Sequence, residues 1–404
     1  MENYIEHVLQ LLLVLAVIVV ASKAAGVMST RIGQPAVFGE LLIGLLLGPS
    51  LLNLLHFFPG EAAESLLFII KDLAQLGVIF LMFLAGLETN LAEMKRVGLA
   101  AFNGALGGVL LPFGAGTAIS LAFGFPVKES VFIGTVLTAT SVSITAQTLL
   151  ELGKLRSKEG TTILGAAVID DVMGIIVLSL VVALSSREMA GSSTAGNVVW
   201  IVVKMLLFFL VSIAVGQWLL ARVTRWVQKL PASEAVFAFA IVVMLLYSWG
   251  AEALGGVAAI TGAYIAGLLY AQTQFKHFIE ERVQITAYGF LVPVFFVSIG
   301  LEANARELGG SLLFTGLIVA SAILSKIIGT GLGTWLSRFT PLEAIRVGVG
   351  MVSRGEVALI VASVGLGYGV IDEAIFSIMV IMTLVTTLVT PVLLRFAFGG
   401  GCSG

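Results

Sequence analysis

The chain has 404 residues, of which 58% are hydrophobic and only 11% are charged. Because soluble domains carry about 25% charged residues, this composition excludes a soluble globular protein and predicts a polytopic protein of the lipid bilayer. The net charge of −2 offers no basic surface, so we expect no nucleic-acid partner. The single cysteine, Cys402, excludes an internal disulfide framework.

Thirteen apolar segments are long enough to cross a bilayer as helices, since the hydrocarbon core needs about 20 residues. In chain order they are 5–26, 33–54, 66–90, 97–125, 129–150, 160–185, 197–224, 233–250, 256–272, 282–303, 311–337, 345–368 and 374–397. The predicted fold class is an all-α polytopic membrane protein with 13 transmembrane helices.

Basic residues gather at alternate ends of these segments. Of the 22 Lys and Arg residues, 15 lie at one set of ends, and only Lys128, Arg187 and Arg306 lie at the other. Since cytoplasmic loops carry the excess of basic residues, the pattern predicts an outside N-terminus and a cytoplasmic C-terminus. A wrong number of spans would disturb this alternation.

Two pairs of similar motifs predict an inverted repeat. Span 66–90 ends in GLETN, and GLEAN follows 214 residues later at the end of span 282–303. The charge pattern puts the first ending inside and the second outside, as an inverted-topology repeat requires. Spans 33–54 and 256–272 also share a GxxxxGLL spacing. We therefore expect two halves joined by span 197–224.

The same offset aligns Ser141 with Gly355, and both surroundings are poor helix formers. Residues 138–145 read TATSVSIT, in which hydroxyl side chains compete for backbone hydrogen bonds. Residues 353–356 read SRGE, with a glycine and two charges in an apolar run. Interrupted helices at matching positions of two repeats indicate a transporter's binding site, where freed carbonyls can coordinate a cation.

Asp170 and Asp171 lie side by side near the midpoint of span 160–185. A charge at the bilayer centre costs on the order of 3 kcal/mol, so an ion or proton pathway explains two carboxylates better than a structural ion pair does. Lys326, near the middle of span 311–337, is the natural partner for one of them. A purely structural role for Lys326 stays open.

Arg354 and Glu356 are two residues apart in the interrupted part of span 345–368. Two interpretations stay open for them. In the first, the two side chains neutralise each other and stabilise helix ends, which makes Arg354 a structural charge. In the second, Glu356 contacts the transported cation. The three histidines lie at span ends or in loops, so a proton relay in mid-membrane would depend on the carboxylates and Lys326.

At these residues the sequence resembles the monovalent cation:proton antiporter-2 family, within the sodium/proton antiporter fold, and is most similar to NapA-type Na+/H+ antiporters. The similar stretches extend from the third predicted span to the twelfth. They are FLMFLAGLETN (80–90), TATSVSITAQTL (138–149), AAVIDDVMG (166–174), the Lys326 segment and GMVSRGEVALIVASVG (350–365).

The resemblance implies a homodimer with two domains in each protomer. Residues 1–90 and 233–303 would form a dimerisation domain, and residues 97–185 and 311–397 a core domain with crossed broken helices. Residues 197–224 would connect them. The core domain would move against the dimerisation domain to alternate access.

By motif position, the resemblance also implies a cation and proton site consisting of Asp171, Asp170, Thr140, Ser141 and Glu356. Na+ would be held by Asp171, the Ser141 side chain and the Thr140 carbonyl. Asp170 would form an ion pair with Lys326 when no cation is bound.

The function predicted on this basis is a secondary active Na+(Li+)/H+ antiporter, electrogenic with two protons per cation, and not an enzyme. K+/H+ exchange on the same scaffold, a cation-coupled solute symporter, and a non-transporting sensor or channel are the alternatives. We expect no cofactor, a prokaryotic inner-membrane location, a role in pH homeostasis, and no soluble regulatory domain in this chain.

Overall fold

The computed structural model describes residues 2–32, 34–49, 51–58, 60–89, 91–185, 194–302 and 312–399. Within these ranges the ordered elements are helices, and no β-strand occurs. Ten helices of the described chain are long and apolar enough to cross a membrane, and three shorter apolar helices accompany them. The predicted all-helical polytopic fold is confirmed. The count of thirteen crossings and the inverted repeat stay predictions.

In chain order the α-helices are α1 (Glu2–Arg31), α2 (Ala36–Leu47), α3 (Gly60–Glu88), α4 (Leu91–Ala122), α5 (Val127–Thr138), α6 (Val142–Glu151), α7 (Lys158–Ser185), α8 (Thr194–Val215), α9 (Ala221–Val227), α10 (Ala235–Gly250), α11 (Ala259–Tyr270), α12 (Lys276–Thr286), α13 (Val292–Glu302), α14 (Leu312–Trp335), α15 (Pro341–Gly350), α16 (Glu356–Gly367) and α17 (Glu373–Phe398). Short π-helical segments join α8 to α9 and α12 to α13. The predicted span 33–54 is α-helical only through Leu47, because Gly48 and Pro49 end the helix.

The helices pack in two groups. In the first bundle, α3 packs against α11 and α13, α2 packs against α1 and α13, and α10 and α12 complete the group. In the second bundle, α4 packs against α5, α7 and α14, while α15, α16 and α17 pack on one another or on α14. The second bundle also includes α6, which contacts α7 and α17.

Glycines allow the closest helix contacts within each bundle. Gly107 of α4 faces Gly329 of α14, and a Cβ on either would collide with the backbone of the other. Gly267 of α11 lies in the same way against the backbone of Phe83 in α3. Small residues at such crossings let helix backbones approach each other closely. The resulting van der Waals contacts favour helix association in lipid, where no hydrophobic force acts between helices. The two bundles are therefore each internally tight.

Both predicted helix interruptions occur where the sequence indicates. Residues 139–141 are extended between α5 and α6, and residues 351–355 separate α15 from α16. Helix α7, by contrast, runs without interruption through Asp170 and Asp171. The carboxylate pair is thus held on a continuous helix beside two broken ones.

Candidate functional site

The two unwound segments cross in direct contact within the second bundle. The backbone N–H of Ser141 donates to the carbonyl of Ser353 at 2.9 Å, and the Ser353 hydroxyl donates to the Ser141 carbonyl at 2.9 Å. A Cβ at Gly355 would lie 2.7 Å from the Ser141 hydroxyl oxygen. Glycine at this position is therefore what lets the segments approach so closely.

Lys326 lies fully buried beside this crossing, and its ammonium group makes three hydrogen bonds. Nζ donates to Asp170 Oδ1 at 3.0 Å, to the Gly108 carbonyl at 2.7 Å and to the Thr138 carbonyl at 2.9 Å. An ammonium has three donors, so every one of them is used. Asp170 is also buried, with 3% of its surface exposed. The geometry joins the two residues that the sequence suggests as partners.

Arg354 is fully buried in the second interruption and binds backbone carbonyls on both sides of the crossing. Its guanidinium donates to Leu137 O at 2.6 Å and to Val352 O at 2.8 Å, and the Thr387 hydroxyl donates to the Arg354 carbonyl. Leu137, like Thr138, ends α5, where the helix dipole is negative. The positively charged side chains of Lys326 and Arg354 therefore both stabilise the C-terminal end of α5. This contact favours the structural interpretation of Arg354. The Glu356 side chain lies outside the described part of the chain.

Asp171 faces the first bundle. Thr261 of α11 donates from Oγ1 to Asp171 Oδ2 at 2.9 Å. The two adjacent aspartates thus have different environments, because Asp170 is joined to a lysine within its own bundle and Asp171 meets a hydroxyl from the other. The sequence does not indicate Thr261 as a site residue, because many hydroxyl side chains occur in the apolar helices.

A cavity of about 120 Å³ lies beside the carboxylates. The residues that line it are Thr138, Ala139, Thr140, Asp170, Asp171, Gly174, Leu178, Ala258, Val357 and Val361. Of the predicted ligands, Thr140 and both aspartates line the cavity. Ser141 does not, because its side chain packs against Gly355. Its buried hydroxyl oxygen has no hydrogen-bond partner in the described chain.

A larger cavity of about 580 Å³ lies at the face that the basic residues predict as cytoplasmic. Glu40, Glu88 and Glu151 line it together with Lys23 and Arg395. Charged side chains of both signs therefore line this cavity.

Charges buried between crossed helix ends and next to a small cavity are typical of membrane proteins that pass ions. The fold and the site thus define a membrane ion transporter. A family model described as sodium/hydrogen exchanger, transmembrane, matches residues 12–398, and the chain belongs to that family.

Relatives agree with this assignment. The Na(+)/H(+)-K(+) antiporter GerN of Bacillus cereus is 38% identical over 385 residues, which is 95% of each chain. The probable Na(+)/H(+) antiporter GerT of the same organism is 40% identical over 388 residues, 95% of this chain and 98% of the relative. The resemblance to cation:proton antiporters is therefore confirmed.

The solved structures agree on the fold. The sodium proton antiporter MjNhaP1 from Methanocaldococcus jannaschii superposes with a TM-score of 0.70 over 96% of this chain and 95% of that chain. At 19% sequence identity, this likeness concerns the helix arrangement alone.

Proposed function

We propose that this protein is a secondary active antiporter that exchanges Na+ or Li+ for protons by alternating access. The observation that carries the proposal is the pair of adjacent carboxylates in mid-helix, of which one is joined to Lys326 and the other, Asp171, lines a cavity. The names of the relatives support Na+ and H+.

Asp171 is the group for which the cation and the proton compete. Its carboxylate is reached from the cavity, and the Thr140 carbonyl is an additional oxygen ligand. The Ser141 hydroxyl, which packs against Gly355 in this arrangement, would have to turn towards the cavity to be a further ligand. Monovalent and other hard cations bind such oxygens, whereas a proton on the carboxylate removes the negative charge that attracts them. Binding of one ion therefore excludes the other.

Asp170 and Lys326 add a second proton to the cycle. A cation that draws Asp170 towards the cavity weakens the bond to Lys326, and the ammonium then releases a proton because a buried charge without its counter-ion is unstable. Two protons exchanged for one cation make transport electrogenic. The saturated hydrogen bonding of Lys326 in this arrangement supports the idea that proton release needs Asp170 to move.

Alternating access requires the second bundle to move against the first. The cavity at Asp171 includes Gly174 and Leu178, which follow Asp171 along α7 towards the end predicted outside. This position supports an outward-facing arrangement. We further propose a homodimer in a prokaryotic inner membrane, in which 1–90 and 233–303 form the dimerisation domain and 97–185 and 311–397 the moving core.

K+/H+ exchange is a second candidate, because the relative GerN is named for both Na+ and K+. The two candidates differ in ion selectivity and not in scaffold. Parallel titrations of Na+, Li+ and K+ in proteoliposomes, each followed by a pH-sensitive dye, separate them.

The decisive experiment compares the wild-type protein with Asp171→Asn in those proteoliposomes. We expect the variant to lose cation-driven proton movement, whereas Glu373→Gln, which removes a charge at the exposed start of α17, retains it. Transport by Asp171→Asn would remove Asp171 from its central role. Exchange that is insensitive to a clamped membrane potential would contradict the two-proton stoichiometry.

A further inference from the structure

Thr261 brings a hydroxyl from the first bundle to the carboxylate of Asp171 in the second. Only 2% of its surface is exposed, and its oxygen lies 2.9 Å from Asp171 Oδ2. Helix α11, which contains Thr261, is fixed to α3 by the glycine contact between Gly267 and Phe83. The hydroxyl is therefore presented by a rigid element that does not belong to the helix group of Asp171.

The chemistry of a hydroxyl suits this position. It has one proton to donate and two lone pairs to accept. It can donate to an ionised carboxylate, and after rotation about its C–O bond it can offer a lone pair to a cation bound there. Asp170, the neighbour of Asp171 on α7, forms an ion pair with Lys326 within the second bundle. Thr261 is a neutral polar group that approaches from the opposite side.

We propose that Thr261 is a further determinant of cation affinity, contributed to the Asp171 site by the opposing bundle. The inference rests on the proposed role of Asp171 in cation binding. Because Thr261 and Asp171 belong to different bundles, the movement that alternating access requires separates them. Thr261 then strengthens the site in only one of the two arrangements, and the affinity for the cation differs between the two faces of the membrane.

The test is steady-state Na+/H+ exchange in proteoliposomes by Thr261→Val, which keeps the shape and removes the hydroxyl, and by Thr261→Ser, which restores it. We expect Thr261→Val to raise the apparent KM for Na+ about fivefold or more, because the loss of one hydrogen bond of ordinary strength weakens binding by about that factor. The maximal rate should change less, by about twofold at most. Thr261→Ser should return the KM to near the wild-type value.

Thr161→Val is the matched control, because Thr161 is equally buried, lies on α7 ten residues before Asp171, and has a hydroxyl without a hydrogen-bond partner among the described residues. Its KM should not change. An unchanged KM in Thr261→Val, or an equal defect in Thr261→Ser, would overturn the proposal in favour of a packing role. Asp171→Asn is measured in parallel: if it still transports, the proposed function fails, whereas an inactive Asp171→Asn with a normal Thr261→Val contradicts only this inference.

Discussion

The carboxylate of Glu151 accepts a hydrogen bond from the backbone N–H of Ala36 at 2.5 Å and so joins the last residue of α6 to the first residue of α2. The adjacent N–H of Val37 donates to the same carboxylate at 3.3 Å. The first N–H groups of a helix have no partner within the helix, and here a side chain from the second bundle satisfies two of them in the first.

Glu151→Ala tests how much this contact between the bundles stabilises the protein. Removal of a helix-capping acceptor costs about 1–2 kcal/mol, so we expect a lower melting temperature in detergent, followed by tryptophan fluorescence. Glu281→Ala removes a carboxylate of which 74% of the side chain is exposed, and it should melt like the wild type. Equal melting temperatures of the two variants would show that the contact contributes nothing.

Asp170 and Lys326 should depend on each other for stability. Removing one member of a buried pair leaves an uncompensated charge and costs about 3–5 kcal/mol, whereas replacing both by neutral groups is often tolerated. We expect Lys326→Met to be strongly destabilised and the double variant Asp170→Asn with Lys326→Met to recover most of the loss. Thermal unfolding of Asp170→Asn, Lys326→Met and the double variant gives the coupling free energy between the two residues. Additive effects would mean that the pair is not coupled.

Gly355→Ala should disturb the crossing of the two unwound segments. The new Cβ would lie 2.8 Å from the Ser141 Cβ, and overpacking of this kind costs about 1–3 kcal/mol. We expect reduced exchange in proteoliposomes together with a lower melting temperature. Gly316→Ala on α14 is the matched control, since no heavy atom lies within 4 Å of a Cβ built there. Normal exchange by Gly355→Ala would show that the segments have room to separate.

Glu343, which precedes the predicted span 345–368, gives a prediction about pH. The Thr340 backbone N–H donates to its carboxylate at 2.8 Å, and Lys158 forms an ion pair with it at 3.0 Å. These contacts lower the pKa of Glu343 below its ordinary value of 4.5. A lowered pKa in the folded state stabilises the protein above pH 4.5, and the contribution is lost as the pH falls through the lowered value.

Glu343→Ala should therefore melt at a lower temperature than the wild type near neutral pH, and the difference should shrink as the pH falls through the lowered pKa of Glu343. Glu373→Ala, at the exposed start of α17, provides the comparison. A difference that stays constant over the whole pH range would assign the effect to helix propensity and not to the ionised carboxylate.

Several features of the fold follow from the sequence because they depend on local composition. Hydropathy predicts the helices, and the hydroxyl-rich and glycine-containing stretches predict the interruptions at 139–141 and 351–355. A partner for one of the two aspartates follows from the sequence, since Lys326 is a basic residue near the middle of a span. The family resemblance is what assigns it to Asp170. The cost of an unpaired charge in lipid leaves few ways to satisfy both groups.

Features that depend on how distant helices pack do not follow from the sequence. Nothing in the local pattern distinguishes Thr261 from other hydroxyls, and its contact with Asp171 arises from the packing of α11. The binding of Arg354 to Leu137 O also joins residues far apart in the chain. The GLEAN ending and the Glu356 side chain lie partly or wholly outside the described residues, so their predicted roles stay predictions.

The surroundings of the Lys326 ammonium are those of a bound metal cation, because two carbonyl oxygens and one carboxylate oxygen replace its hydration shell. The protein therefore contains a positive charge that is covalently attached to α14 and lies next to the proposed binding site of the transported cation. In the proposed cycle, a mobile ion that approaches Asp170 therefore competes with a positive charge that cannot diffuse away.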